Sequence, residues 1–433
     1  MNKKIFLALL LILCLACFGC TSRFEQNNQK PPYNDDIADN GNGVDNIVED
    51  NESEGIEDNK NGEMDNGTDS ETDYNTDDIT PMPIPTIPNF KIKGAWISSV
   101  YNIDYPSSAT QNSSVLKQDL VTIVQKAKKA NINTLFFQVR PCSDSLYKSS
   151  FFPWSKFLTG KLGVEPQDNF DPLQCIISLC HSSDLYLHAW INPYRLSVND
   201  TLDSSHPMNN YQEVILNVND RLYLNPGIPK SSQIILDGVR EIATNYAIDG
   251  IHYDDYFYPE DITTQDDFAY KMYGKSFNNK ADFRRSCTDN LIKSTRNLIK
   301  QINPNLQFGV SPSGIWANKK NNPLGSNTLG FESYYAIYAD SRLWAKENYV
   351  DYIIPQIYWY SGQPGSDFDT ILDWWVDVCK DSNTKLYIGI AGYKADTSDA
   401  WQGTKELDYQ LKKSLTNADG YVIFSFKDVN KIQ

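Results

Sequence analysis

Eight short β-rich runs follow one another from Ile92 onward, with seven stretches of helical period between them. The runs are Ile92–Ile97, Thr134–Val139, Leu185–Ile191, Ile248–Asp254, Leu306–Ser311, Tyr352–Ile357, Leu386–Ile390 and Tyr421–Phe426, each rich in β-branched and aromatic residues. The intervening stretches are Val115–Ala130, Pro172–Ser182, Ser232–Tyr246, Arg284–Ile302, Tyr335–Asn348, Phe368–Asp381 and Thr404–Leu415. They are apolar every three or four residues, several behind Ser or Asp caps. Strict alternation requires parallel strands joined by right-handed crossovers, and eight strands in one unit favour closure over an open sheet. The expected fold is therefore α/β, a (β/α)8 TIM barrel spanning residues 90–433. A doubly wound open sheet is the alternative, but no Gly-rich phosphate loop follows any run, so its nucleotide-binding form has little support. The last run ends seven residues before Gln433, so an eighth outer helix is expected to be missing or very short.

Residues 1–20 read differently. Lys3-Lys4 precede an apolar run from Ile5 to Phe18 that ends in Gly19-Cys20, the pattern of a signal peptide. The run is shorter than the ~20 residues a spanning helix needs. Its ending is similar to bacterial lipoprotein signals, which makes Cys20 the expected lipidated terminus, with Cys17 a second candidate. The implied location is the cell membrane, lipid-anchored and facing the extracytoplasmic side, or secretion if no lipid is attached.

Residues 21–89 complete the tether. Between residues 21 and 80 there are 18 acidic and 3 basic side chains and scarcely an apolar one, so this stretch is expected to be disordered. Pro81 to Pro88 then carries a proline at nearly every second position, as an extended spacer would. The tether thus accounts for nearly all of the chain's formal charge of -16. The remainder has no basic excess to attract nucleic acid, so that partner class is excluded.

Beyond the leader, Cys142, Cys175, Cys180, Cys287 and Cys379 form no CxxC pattern, which predicts neither a disulfide scaffold nor a zinc site. No cofactor is expected.

In a barrel of this kind the chemistry sits at the C-terminal ends of the strands. Those ends are polar and aromatic here: Trp96 on the first run, Arg140 with Asp144 just beyond the second, and His188, Trp190, Asn192, Tyr194 and Arg195 on the third. The fourth carries His252, Asp254, Asp255, Tyr256 and Tyr258; Trp316 follows the fifth; Gln356, Tyr358 and Trp359 end the sixth. Aromatic faces stack on sugar rings, and Arg, His, Asn and Gln give directional hydrogen bonds to hydroxyls, so the set suits a polysaccharide cleft.

Glycoside cleavage needs one carboxyl to protonate the leaving oxygen and another to attack the sugar or activate water. Side chains alternate along a strand, so His252 and Asp254 share a face, giving a base or nucleophile beside a tuning imidazole. Asp255 is the partner acid, an orienter of Asp254 or a turn cap. Asp255, Asp144, Glu332 and Asp340 are all candidates for the acid. His188, His252 and Asp254 could instead suggest a metal, but no HxxxH or HExxH spacing supports one. No nucleophile-elbow pattern surrounds Ser311, Ser313 or Ser425.

Taken together, Lys93-Gly94-Ala95-Trp96-Ile97, Gln138-Val139-Arg140-Pro141 with Asp144 to Tyr147, Pro153-Trp154-Ser155, His188 to Arg195, Asp249 to Pro259, Tyr338 to Trp344 and Asp351 to Trp359 resemble the bacterial glycosyl hydrolase-like family ten. The resemblance implies a TIM-barrel glycosidase, with peptidoglycan glycan strands as a substrate class. It carries Arg140, Asp144, His188, Asn192, Arg195, His252, Asp254, Asp255, Tyr258, Asp340, Gln356 and Tyr358 over as site positions. Asp249-Gly250-Ile251 followed by Asp254 is also similar to the fourth-strand signature of chitinase-type barrels. Those enzymes need a glutamate where Tyr256 stands, so a direct two-carboxyl mechanism is expected instead. Competing functions are a non-catalytic glycan-binding lipoprotein and a metal-dependent polysaccharide deacetylase.

Overall fold

The computed structural model describes residues 90–199 and 201–432; the expected leader, Cys20 and the acidic and proline-rich tether lie outside the described residues. In chain order the strands are β1 (Ile92–Ile97), β2 (Thr134–Arg140), β3 (Tyr186–Ile191), β4 (Arg195–Ser197), β5 (Ile215–Val218), β6 (Arg221–Leu224), β7 (Gly250–Tyr253), β8 (Gln307–Val310), β9 (Tyr352–Ile353), β10 (Lys385–Ala391) and β11 (Gly420–Phe424). Eight of them, all but β4 to β6, form a closed barrel of parallel pairs in the order β1-β11-β10-β9-β8-β7-β3-β2. This is the expected TIM barrel, and every barrel strand coincides with one of the eight runs.

Helices cover the outside, and three of them start where short polar side chains satisfy their first amides. Asn112 accepts from Ser114 and Val115 ahead of Ser113–Lys129, Asp171 from Gln174 ahead of Pro172–His181, and Asp367 from Thr370 ahead of Phe368–Cys379. Their apolar faces meet outward residues such as Ile97, Leu135, Phe137, Ile191 and Ile353. A separate interior core fills the barrel with Trp96, Phe136, Trp190, Tyr352, Tyr387, Val422 and Phe424. Two glycines make that filling possible: a Cβ at Gly250 would come within 2.4 Å of the His188 ring, and one at Gly309 within 2.1 Å of the Tyr352 ring.

The elements depart from expectation in three places. The sixth run ends as a strand at Ile353, because Pro355 has no N–H for the ladder; pairing resumes only at Gln356, as isolated bridges to Ser313 and Gly389. The helix expected over Tyr335–Asn348 is two short ones, Ser333–Ala336 and Ser341–Lys346, separated at Tyr338 where φ is 53°. A three-stranded antiparallel sheet, β4-β6-β5, sits between β3 and helix Pro229–Asn245. Its hairpin turns on Asn219 and Asp220, both at positive φ, the geometry of a type I′ turn. Beyond β11 a 3-10 segment, Phe426–Lys431, stands where an eighth outer helix would begin.

Candidate active site

Asp254 leaves the C-terminal end of β7 and is buried. Its carboxyl is built around by donors: Asn192 Nδ2 to Oδ2 at 3.1 Å and the Asp255 backbone N–H to Oδ1 at 2.9 Å. Burial pushes its proton affinity up, while a side-chain hydrogen bond with Asp255, the charge of Arg195 and these donors pull it back. Arg195 is itself buried, its Nε donating to the Pro141 carbonyl at 2.8 Å and its guanidinium 4.5 Å from the centre of the Tyr256 ring.

Behind Asn192 stands Gln138. Its Nε2 donates to Asn192 Oδ1 at 2.8 Å, and its Oε1 accepts from Ser99 N at 2.8 Å and Val100 N at 2.9 Å. The loop after β1 is thus tied through two amides to the carboxyl at the end of β7.

Beneath this level lies a histidine pair. The Trp96 indole N–H, a donor only, meets His252 Nε2 at 3.1 Å, so that nitrogen accepts and Nδ1 carries the proton. Tyr352 bridges onward, its hydroxyl 3.3 Å from His252 Nδ1 and 2.8 Å from His188 Nδ1. Ser311 Oγ is 3.0 Å from His252 Nε2. Burial holds His188 down to about 4 and His252 well below its usual range, so both imidazoles are neutral. His252 therefore sits in the barrel core, stacked against Tyr352 and edge-on to Phe136, one residue pair below Asp254.

Asp144 is buried beside Arg140 and Arg195, with Oδ1 accepting from Cys142 N at 2.9 Å; burial raises its proton affinity. It lines a cleft of about 320 Å³ together with Lys156, Phe157, Lys161, Val198 and His206. Tyr358 is buried with Asp254 and Asp255 among the charges acting on it, and Gln356 donates from Nε2 to the Ser311 carbonyl at 2.9 Å.

Other expected residues lie elsewhere. Arg140 points away from the barrel axis: its guanidinium is 3.6 Å from the centre of the Phe152 ring and abuts Gly238 of helix Pro229–Asn245. A register shift between Gln138 and Arg140 puts these two, two residues apart, on opposite faces. Tyr194 and Trp359 pack in the layer between strands and helices, and Trp190 packs inside the barrel. Tyr258 joins Tyr223 and Ile262 in a small core under the extra sheet. Trp316 donates its indole N–H to Asp340 Oδ1 at 2.9 Å and stacks on Trp374. That same Asp340 oxygen caps helix Ser341–Lys346 through Leu343 N. Glu332 is likewise occupied, accepting from Asn318 N and Asn321 Nδ2.

Gln138, Ser311 and Tyr352 are the contributors the sequence reading left out. Gln138 could have been found from its place at the end of a barrel strand, the same signal that picked out Asn192. Tyr352 starts its strand rather than ending it, so position gave no signal.

A closed parallel barrel with acidic residues gathered at its C-terminal mouth defines a (β/α)8-barrel enzyme of the glycosidase type. The chain belongs to the glycosyl hydrolase-like 10 family, whose model matches residues 91–404, and it is a glycosidase. It is 38% identical over 354 residues to glycosyl hydrolase YngK of Bacillus subtilis (strain 168), covering 79% of this chain and 69% of that one. It is 36% identical over 372 residues to glycosyl hydrolase DigH of Escherichia coli (strain K12), covering 79% and 84%. Among solved structures it is similar to α-L-fucosidase isoenzyme 2 from Paenibacillus thiaminolyticus, with a TM-score of 0.52 at 12% identity over 79% of this chain. The match spans about half of that enzyme, 49%, and shows the fold.

Proposed function

We propose that this glycosidase hydrolyses a cell-envelope polysaccharide, the glycan strands of peptidoglycan, with Asp254 as base or nucleophile and Asp144 as acid. The observation that carries the reading is the setting of Asp254: a buried carboxyl at the end of a barrel strand, with donors on both oxygens. Asp255 shares a hydrogen bond with Asp254, whereas carboxyls flanking a glycosidic bond stand roughly 5–9.5 Å apart. Asp255 therefore suits the orienting role and not the opposite side of the sugar. Asp340 and Glu332 stand apart from this group: the charges acting on Asp340 are those of Arg285 and Arg342, and Glu332 ties down the loop of Asn318 and Asn321. Asp144 has what an acid needs, a proton affinity raised by burial, and it opens on a cleft large enough to hold part of a glycan. The half-buried Tyr256 supplies aromatic surface, and Arg195 stands between the two carboxyls electrostatically, acting on both.

The envelope as the place of action rests on the leader ending at Cys20 and the acidic, proline-rich tether, which suit a lipid-anchored domain held off the outer face of the membrane. The test is incubation of the purified protein with peptidoglycan glycan strands, following new reducing ends by mass spectrometry. New ends support the reading. Tight binding without new ends would replace it with a glycan-binding role; neither binding nor cleavage would reject this polysaccharide.

A further inference from the structure

We propose that Gln138 is a positioning residue for Asp254, acting through Asn192 to fix which end of the Asn192 amide faces the carboxyl. The inference rests on the reading of Asp254 given above and extends it to a residue outside contact with Asp254.

An amide side chain can turn over at little cost in volume, exchanging its donor for its acceptor. At Asn192 such a turn would aim an oxygen at the Asp254 carboxylate. Gln138 prevents it, because its own orientation is not free. Its Oε1 receives the backbone N–H groups of Ser99 and Val100 at 2.8 and 2.9 Å, and the Ser98 hydroxyl at 3.2 Å. Turning Gln138 over would face an NH₂ group with two N–H donors. Nε2 must therefore point at Asn192, whose Oδ1 must accept, which leaves Nδ2 to face Asp254. Gln138 is fully buried, so water cannot substitute for either bond at low cost. The backbone of the loop after β1 thus sets the polarity of a two-amide relay that ends on Asp254.

The test needs no substrate. Infrared spectra of the purified protein minus those of Asp254→Asn isolate the carbonyl stretch of the protonated Asp254 carboxyl, followed against pH. In Gln138→Met, with Gln138→Met/Asp254→Asn as its blank, the freed Asn192 amide no longer favours the anion. The band should persist to higher pH by about one unit, a tenfold gain in proton affinity. Asn192→Ala should give a shift of the same sign, and the double variant no more than the larger single one. A titration unchanged from the parent in a folded Gln138→Met would overturn the proposal. If Gln138→Met does not fold, Gln138→Leu, which removes the donor without adding a charge, is read in the same way. Since no turnover enters, failure of glycan cleavage leaves this result intact.

Discussion

Asn192 Nδ2 donates to Asp254 Oδ2 across 3.1 Å, joining the ends of two neighbouring barrel strands, β3 and β7. The contact defines the site because it gives a buried carboxylate a fixed donor. Asn192→Ala should therefore lower kcat by roughly 10–100-fold, the scale of about 1.5–3 kcal/mol for a hydrogen bond to a charged group, with KM nearly unchanged. Steady-state kinetics on whichever glycan is cleaved reads this; a change confined to KM would mean that Asn192 holds substrate rather than Asp254.

Asp340 separates structural from chemical carboxyls. Its Oδ1 caps helix Ser341–Lys346 and accepts the Trp316 indole N–H. Asp340→Ala should cost about 1–2 kcal/mol of stability through the lost cap, while the activity of the folded fraction stays at the parent level. Denaturant titration alongside rate measurements separates the two, and loss of rate without loss of stability would return Asp340 to the list of acids.

Interior packing gives a steric prediction. A methyl added at Gly309 would meet the Tyr352 ring at 2.1 Å, and the same ring carries the hydroxyl between His188 and His252. Gly309→Ala should destabilise the barrel by about 1–3 kcal/mol through overpacking. Thermal unfolding at matched pH measures it, and a neutral result would show that the interior has slack where none is visible.

Three imidazoles predict the response to acid. Burial holds His188 and His206 at about 4, against 6.5 for the free group, and pushes His252 well below its usual range. The unfolded chain then binds more protons than the folded one below pH 6.5. The stability contributed by neutral burial is present above that pH and is lost as pH falls from 6.5 through about 4. His206→Gln should flatten the curve of unfolding temperature against pH in that window; an unchanged slope would count against the buried neutral form of His206.

The barrel was legible because its signal repeats: a short β-rich run giving way to a period near 3.6, seven times over, with an eighth run to close it. What stayed hidden was local. Pro355 cut β9 short within a run whose composition still read as strand, and Tyr338 broke a helix that periodicity joined. The Asn219-Asp220 turn was written in the sequence but flanked by strands of only four residues, too short to stand out among loops. In the site, Asp254 and Asn192 were legible from their places at strand ends. Arg140 was not, because alternation predicts the same face as Gln138 and a register shift reverses it. The face of His252 was read correctly, but the sequence does not say that Trp96, Tyr352 and Ser311 would occupy its ring nitrogens inside the core.

The most direct measurement is the release of new reducing ends from peptidoglycan glycan strands by the parent protein and by Asp254→Asn, with unfolding temperatures recorded for both. The predicted result is products from the parent and a rate at least about 10²-fold lower from an equally stable variant, the scale of a lost acid–base group. Equal product release from the two would contradict the central place given to Asp254.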